Sequence, residues 1–176
     1  MRKELKLSGS GGQGLITAGV ILAAAGMLDG KEVTQSQSYG PEARGGASKT
    51  DVMISDSPID FIRVQNCDML LCLTQVSYDR YGKDPVACLI IDDTLKVNDS
   101  YPKPERIVKV PILATAIQKI GKPMVSNIVA LGALNAALNL VSKESLEKAV
   151  LEHVPKGTED LNKRALELGY ELAQNA

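Results

Sequence analysis

At 176 residues the chain has the length of one domain with a continuous core, and 44% hydrophobic against 23% charged residues is an ordinary globular balance. A net charge of −1 provides no field for nucleic acid or an anionic membrane, and 3% aromatic residues, with one Phe and no Trp, provide no base-stacking surface. The N-terminus lacks the apolar run of a secretory signal, and the most apolar stretch, Ile16–Leu28, is too short and glycine-punctuated to span a bilayer, so the reading is cytoplasmic.

The chain opens as strand, glycine turn, helix. Leu5 and Leu7 alternate with Glu4 and Lys6 in the period-2 pattern of a strand. Gly9–Gly14 breaks that pattern. A small-residue helix is predicted over about Gln13–Leu28, stopped by Gly30. Lys31–Ser38 and Ala47–Ile54 read as strands. No helix fits between them, so they are expected to run antiparallel. Asp56-Ser57-Pro58 reads as a turn, and Met69–Leu73, Val86–Ile91 and Ile107–Val110 as further strands, the last stopped by Pro111.

The C-terminal third is helical. Val125–Leu140, rich in Ala, Gly and Leu, is predicted to be largely buried. Ser142 caps a helix over Lys143–Val154. Thr158 caps another that runs to about Ala173, with Leu161, Ala165, Leu168 and Leu172 on one face. The alternation predicts one domain over residues 1–176: an α/β fold, Rossmann-like in three α/β/α layers with a mixed sheet.

Cys67, Cys72 and Cys88 are the only cysteines. Their odd number and lack of any Cys-x-x-Cys pair argue against a disulfide framework or an iron–sulfur cluster, and predict reduced, buried thiols. No residue set reads as a metal site or a catalytic triad. His153, near a helix end, is expected to be structural, and Asp92-Asp93 reads as a turn. Asn127, Asn135 and Asn139 recur on one side of an apolar helix, where buried amides need partners; Asn127, near the helix start, is also a candidate for the ligand rim.

Gly9-Ser10-Gly11-Gly12-Gln13-Gly14 satisfies G-x-G-x-x-G between a strand and a helix. Such a loop lets a partner approach the backbone and directs unpaired helix N–H groups at it. An anion, a polar ligand or a neighbouring main chain would fit, and so would simple helix–sheet packing. A nicotinamide or flavin site needs an acidic residue at the end of the second strand, where this chain has Gln35-Ser36-Gln37-Ser38. No Gly-Lys-Ser/Thr follows, so a Walker A loop is excluded.

A second irregular segment, Ser38-Tyr39-Gly40-Pro41-Glu42-Ala43-Arg44-Gly45-Gly46, combines backbone freedom with a planar guanidinium suited to an anion or carboxylate. In a doubly wound sheet it would share a rim with the glycine loop.

Gly11-Gly12-Gln13-Gly14 followed by Ser38–Gly46 resembles the γ subunit of the 2-oxoacid:ferredoxin oxidoreductases, equivalent to the γ domain of fused pyruvate enzymes. The likeness extends through Ser48, Asp51, Asp68–Leu73, Asn127 and Leu131-Gly132-Ala133. It implies one subunit of an enzyme that oxidatively decarboxylates a 2-oxoacid with thiamine diphosphate and Mg2+, passes the acyl group to coenzyme A, and sends electrons through iron–sulfur clusters to ferredoxin. Those groups would sit on α, β and a ferredoxin-like δ subunit; this chain has neither a Gly-Asp-Gly…Asn-Asn signature nor four clustered cysteines, and should be inactive alone. A short separate γ subunit most resembles the 2-oxoglutarate enzymes, with pyruvate and 2-oxoisovalerate relatives sharing the motifs. Gly11, Gly12, Gln13, Gly14 and Arg44 would face coenzyme A or partner subunits, with Ser38, Glu42, Lys49 and Asn127 as further candidates. The isolated chain is expected to self-associate. Two other classes stay open: a stand-alone dinucleotide-dependent oxidoreductase and a non-catalytic assembly or regulatory module.

Overall fold

The computed structural model describes residues 1–39 and 46–174. Its centre is one mixed sheet of six strands: β1 (Arg2–Ser10), β2 (Glu32–Tyr39), β3 (Ala47–Ser55), β4 (Met69–Cys72), β5 (Cys88–Asp92) and β6 (Arg106–Val110). The spatial order is β2-β3-β1-β4-β5-β6. β3 runs antiparallel to β2, as the helix-free connection implied, and also to β1, whereas β1, β4, β5 and β6 are parallel.

Helices cover the two faces unequally. On one face lie α1 (Leu15–Leu28), α4 (Ser126–Leu138), α5 (Lys143–His153) and α6 (Glu159–Gln174). They enclose the main core with Leu5, Leu7, Val52, Ile54, Leu71 and Ile90. The other face holds a smaller cluster, in which Cys72, Leu70 and Ile91 meet Tyr78 of α2 (Gln75–Tyr81). α3 (Ile112–Ala114) continues into a π-helical turn, Thr115–Ile120, which ends at Gly121 with φ 78°. Among the described residues no helix is long and apolar enough to cross a membrane.

The fifth strand starts at Cys88 rather than at the expected Val86. Asp92 ends that strand and opens the turn read from the sequence: its carbonyl accepts from the Leu95 N–H, and its fully buried carboxylate accepts from the Thr94 N–H and hydroxyl and from the Leu113 N–H. A buried carboxylate with three donors ties the end of β5 to the start of α3.

The helical layer is held by two local devices. α4 and α6 approach backbone to backbone: a Cβ on Gly132 would overlap the Leu166 carbonyl oxygen and lie 2.9 Å from the Gly169 Cα. Beside this crossing Asn135 is only 2% exposed, and its amide is fully used. Its Nδ2 donates to the Val141 carbonyl and Tyr170 hydroxyl, while its Oδ1 accepts from Leu140 and Val141 N–H. Asn139 takes the left-handed conformation that ends α4. The second device is Asp29, just after α1. It accepts from the Ser142 N–H (2.6 Å) and from the Ser142 and Ser145 hydroxyls (2.7 and 2.5 Å), while Ser142 itself caps α5.

Because both obstacles at Gly132 are backbone, Gly132→Ala should cost about 1–3 kcal/mol or more, read as a drop in thermal midpoint. Asp29 is pushed up by burial, but hydrogen bonds from Ser145 and Ser142 and the charge of Lys31 outweigh that and leave it below its ordinary 3.8. A depressed carboxyl stabilises the fold above the unfolded value and loses that contribution as pH falls through the folded one. Wild-type thermal midpoints should therefore fall below pH 3.8, and Asp29→Asn should flatten part of that fall.

Candidate functional site

β1 ends at Ser10, in the middle of the sheet, and the chain must turn sharply to start α1 over the β3 side. The glycines of the turn do different work. Gly12 and Gly14 have φ of 86° and 72°, where a side chain is strained. Gly9 is needed for space: a Cβ there would collide with the Gln13 side chain and lie 2.7 Å from Leu15 Cδ1. Gly14 is needed for both reasons, since its Cβ would come within 2.7 Å of Asn127 Nδ2. Gly11 has neither reason. Its φ is not positive, and no described atom lies within 4 Å of a Cβ built on it.

Gln13 folds inward. Its Oε1 accepts from the Ser10 N–H at 2.8 Å, and its own N–H donates to the Ser10 carbonyl at 3.3 Å. The side chain thus closes the turn it belongs to. Asn127 braces the far side, donating from Nδ2 to the Gly14 carbonyl at 3.0 Å and accepting from Ile128 N–H at 2.9 Å. The pair joins α4 to the start of α1 across more than 100 residues of sequence.

Between these braces lies a hollow of about 250 Å3, lined by Ser10, Gly11, Gly12, Gly14, Leu15, Ile16 and Ser48. The first turn of α1 faces it with no side-chain cap and no acidic residue. Its free N–H groups and the positive end of the helix favour a negative or strongly accepting group there.

The sequence-predicted residues divide into three groups. Gly11, Gly12, Gln13, Gly14 and Asn127 come together at this rim. Lys49 is the register partner of Ser38 in β2 and of Ser8 in β1, and all three lie on the sheet face opposite α1. There the Lys49 ammonium is held 2.7 Å from Asp51, whose other carboxylate oxygen is buried with no partner among the described residues. Glu42 and Arg44 lie outside the described residues. Ser48, which lines the hollow, was quoted in the sequence reading only as part of the resemblance; its signal is its place at the start of β3, opposite Gly9.

A larger hollow, about 850 Å3, opens at the other end of the sheet among Lys6, Gln65, Asn66, Cys67, Asp68 and Asp84. Lys6 is matched there by Asp84 at 3.7 Å, and Lys3 by Asp68 at 3.0 Å. Ligands of open α/β sheets sit at the carboxyl ends of the strands, so position favours the glycine rim. The cysteines offer no chemistry: all three are free and buried, and burial pushes Cys67 up to about 11 and Cys72 up to about 12. Among the described residues no cluster of His, Cys, Asp and Glu could hold a metal ion.

Both the sequence and the fold are shared with known proteins. Residues 4–172 match the family model for pyruvate ferredoxin/flavodoxin oxidoreductase. The chain belongs to that family. It is 52% identical to the 2-oxoglutarate synthase subunit KorC of Methanocaldococcus jannaschii, over 99% of this chain and 95% of that one. It superposes with a TM-score of 0.84, at 45% identity, on the crystal structure of a keto/oxoacid ferredoxin oxidoreductase γ subunit from Geobacter sulfurreducens, covering 100% of this chain and 98% of that one. The same fold, at 22% identity and TM-score 0.84, forms 31% of a longer chain in the 2-oxoglutarate:ferredoxin oxidoreductase of Magnetococcus marinus, a structure with 2-oxoglutarate, coenzyme A and succinyl-CoA bound. The chain is thus a γ-type subunit of an oxidoreductase family, the resemblance first carried by Gly11–Gly14 and Ser38–Gly46.

The unequal glycines can be separated by substitution. Gly14→Ala adds a left-handed strain to a clash with Asn127 and should cost about 1–3 kcal/mol. Gly11→Ala should leave the thermal midpoint of the isolated chain unchanged, because its Cβ points into open space.

Proposed function

We propose that the chain is the γ subunit of a 2-oxoglutarate:ferredoxin oxidoreductase, and that its glycine rim helps enclose the approach of coenzyme A to an active site built by partner subunits. The observation that carries the rim's role is Gly11. Its glycine is required neither by φ nor by packing within the described chain, yet it borders a hollow beneath an uncapped helix N-terminus. Close approach by something outside the described residues is a physical reason for leaving a side chain out there. The coenzyme carries phosphates and amides, groups that accept hydrogen bonds from free N–H groups. Arg44, with its planar fork of donors, would take a coenzyme phosphate bidentately, and Gln13 and Asn127 would hold the loop in the receiving shape. Glu42 would line the same approach, whereas Ser38 and Lys49 would act from the opposite face of the sheet.

The choice of 2-oxoglutarate rests on the 52% identity to a 2-oxoglutarate synthase subunit over nearly both full lengths. The redox groups do not fit this chain. Its three thiols are separately buried and held protonated, unlike the four thiolates an iron–sulfur cluster takes. Thiamine diphosphate, Mg2+ and the clusters would therefore belong to the α, β and ferredoxin-like δ partners, with ferredoxin as acceptor, in the cytoplasm. The whole chain, residues 1–176, would act as one γ-type domain within that assembly.

Affinity purification from the native host should bring down α, β and ferredoxin-like chains, and the complex should reduce ferredoxin with 2-oxoglutarate and coenzyme A. A complex that prefers another 2-oxoacid would overturn the substrate assignment. In the intact complex Arg44→Ala and Gly11→Ala should raise the Michaelis constant for coenzyme A severalfold while leaving that for the oxoacid unchanged. Unaltered coenzyme A kinetics in both would remove the ligand role and leave the rim as an intersubunit surface.

A further inference from the structure

The two edges of the sheet are built differently. β6 is short, carries Arg106 and Lys109, and is stopped by Pro111. Short length, charge and proline are the devices that keep an edge strand from pairing. β2 is longer and has no proline, and its one charge, Glu32, stands at its first residue. It pairs with β3 through eight successive residues without a bulge, from Glu32 to Tyr39, and carries no charge and no proline after Glu32.

The orientation of the free backbone groups is fixed by one hydrogen bond. The Thr50 hydroxyl of β3 donates to the Ser36 carbonyl, so Ser36 turns its backbone groups inward. Alternate residues of an antiparallel strand turn theirs to opposite sides. Gln35 and Gln37 therefore present N–H and C=O to the open edge.

The helix above this edge is equally uncharged. α1, LITAGVILAAAGML, has no Asp, Glu, Lys or Arg. It straddles the outer two strands, with Gly19 over Thr50 of β3 and Gly26 over Val33 of β2 and Ile54 of β3. Its inner flank, Leu15, Ala18, Leu22 and Ala25, is buried. The other flank carries Ile16, Val20 and Met27 at helical spacing, with buried Ala23 between them; Ile16 is half-buried, Val20 is 36% and Met27 66% exposed.

We infer that the β2 edge and the outer flank of α1 form one interface that takes a second copy of this chain through a two-fold axis. A two-fold interface brings identical patches together, so a self-docking surface must avoid like charges facing each other. With Ser36 on the axis, Gln35 of one copy pairs with Gln37 of the other and Thr34 with Ser38, and no charge opposes another. The backbone parity agrees: the outward-facing Gln35 and Gln37 make the hydrogen-bonded pairs, and Ser36 meets its symmetry mate in a non-hydrogen-bonded pair. The helices agree as well. Strands are about 4.8 Å apart, so two helices that each straddle the last two strands lie about 10 Å apart, the spacing of packed helices. The result is one continuous sheet through both copies with α1 against α1. This inference does not depend on how the glycine rim is used.

The test is the solution mass of the full chain and a cross-link on the axis. Light scattering should give twice the 18.8 kDa chain mass. Ser36→Lys sets two lysines directly opposite each other across the axis, with Cβ atoms about 5 Å apart, and should give a monomer with an intact circular-dichroism spectrum. Ser36→Cys should form a disulfide-linked dimer on mild oxidation, because a non-hydrogen-bonded pair has a Cα separation of about 4.5 Å, within disulfide range. The native thiols are buried and should not contribute. If Ser36→Lys fails to fold, the cross-link decides alone. A monomeric mass for the wild type at all concentrations, or a dimer in which Ser36→Cys does not cross-link, overturns the proposal.

Discussion

Everything in this molecule is arranged around where β1 sits. It pairs antiparallel with β3 on one side and parallel with β4 on the other, so it is the seam between the two senses of the sheet. Leu5 and Leu7 are fully buried beneath the helical layer, which fixes the strand in register. The chain leaving β1 turns toward β3, whereas the chain leaving β4 goes through α2 toward β5. Neighbouring connections that diverge open a crevice at the carboxyl ends of the strands, and that is where open α/β sheets receive ligands. The glycine loop is the lip of this crevice because it is the first segment after β1.

The same seam explains why the loop is rigid although it is rich in glycine. Flexible glycine runs lose conformational entropy when ordered. Here two amides set the shape: Gln13 closes the turn on Ser10, and Asn127 reaches from α4 to the Gly14 carbonyl. Each bond is worth on the order of 1 kcal/mol, but both act on a turn whose ends are already fixed by β1 and α1. A hollow held in this way presents its N–H groups without having to order them when a ligand arrives, which is the physical content of preorganisation.

Much of this was legible in the sequence, because strong local patterns survive folding. The alternation of Leu5 and Leu7 gave β1, the small-residue run gave α1, and the lack of room for a helix made β2 and β3 antiparallel. Ser142 caps α5 as its position suggested. α2 was not legible: QVSYDRY is seven residues long, and its identity as a helix depends on Tyr78 packing into the smaller cluster and on the Thr74 cap. Nor was the π-helical turn after α3, which has no side-chain cap at its start, although Gly121 ends it in the left-handed conformation. The last helix was read as a stripe of Leu161, Ala165, Leu168 and Leu172. Its most demanding residue is Gly169, whose backbone meets α4, and a glycine has no side chain for a periodicity argument to weigh. At the site, the motif located the rim, but register alone shows that Lys49 and Ser38 occupy the opposite face of the sheet from Ser48. A one-residue difference in a strand changes the face, which spacing in the sequence does not reveal unless the pairing is known.

The rim and the β2 edge are joined by a single helix. Ile16 belongs to both: it lines the hollow beside the glycine loop and begins the apolar flank that continues through Val20 to Met27. β2 leads directly in sequence into the segment that carries Glu42 and Arg44. Whatever covers the edge therefore bears on the same helix and strand that frame the rim. A helix without charges is costly to leave in water along its outer flank, and a long edge strand charged only at its first residue invites pairing. Both features persist in one short stretch of sequence, residues 15–39, next to a loop whose least constrained glycine faces outward. The economy of the fold is that one strand–turn–helix–strand segment would supply both the proposed ligand rim, at its turn, and the proposed association surface, along its length.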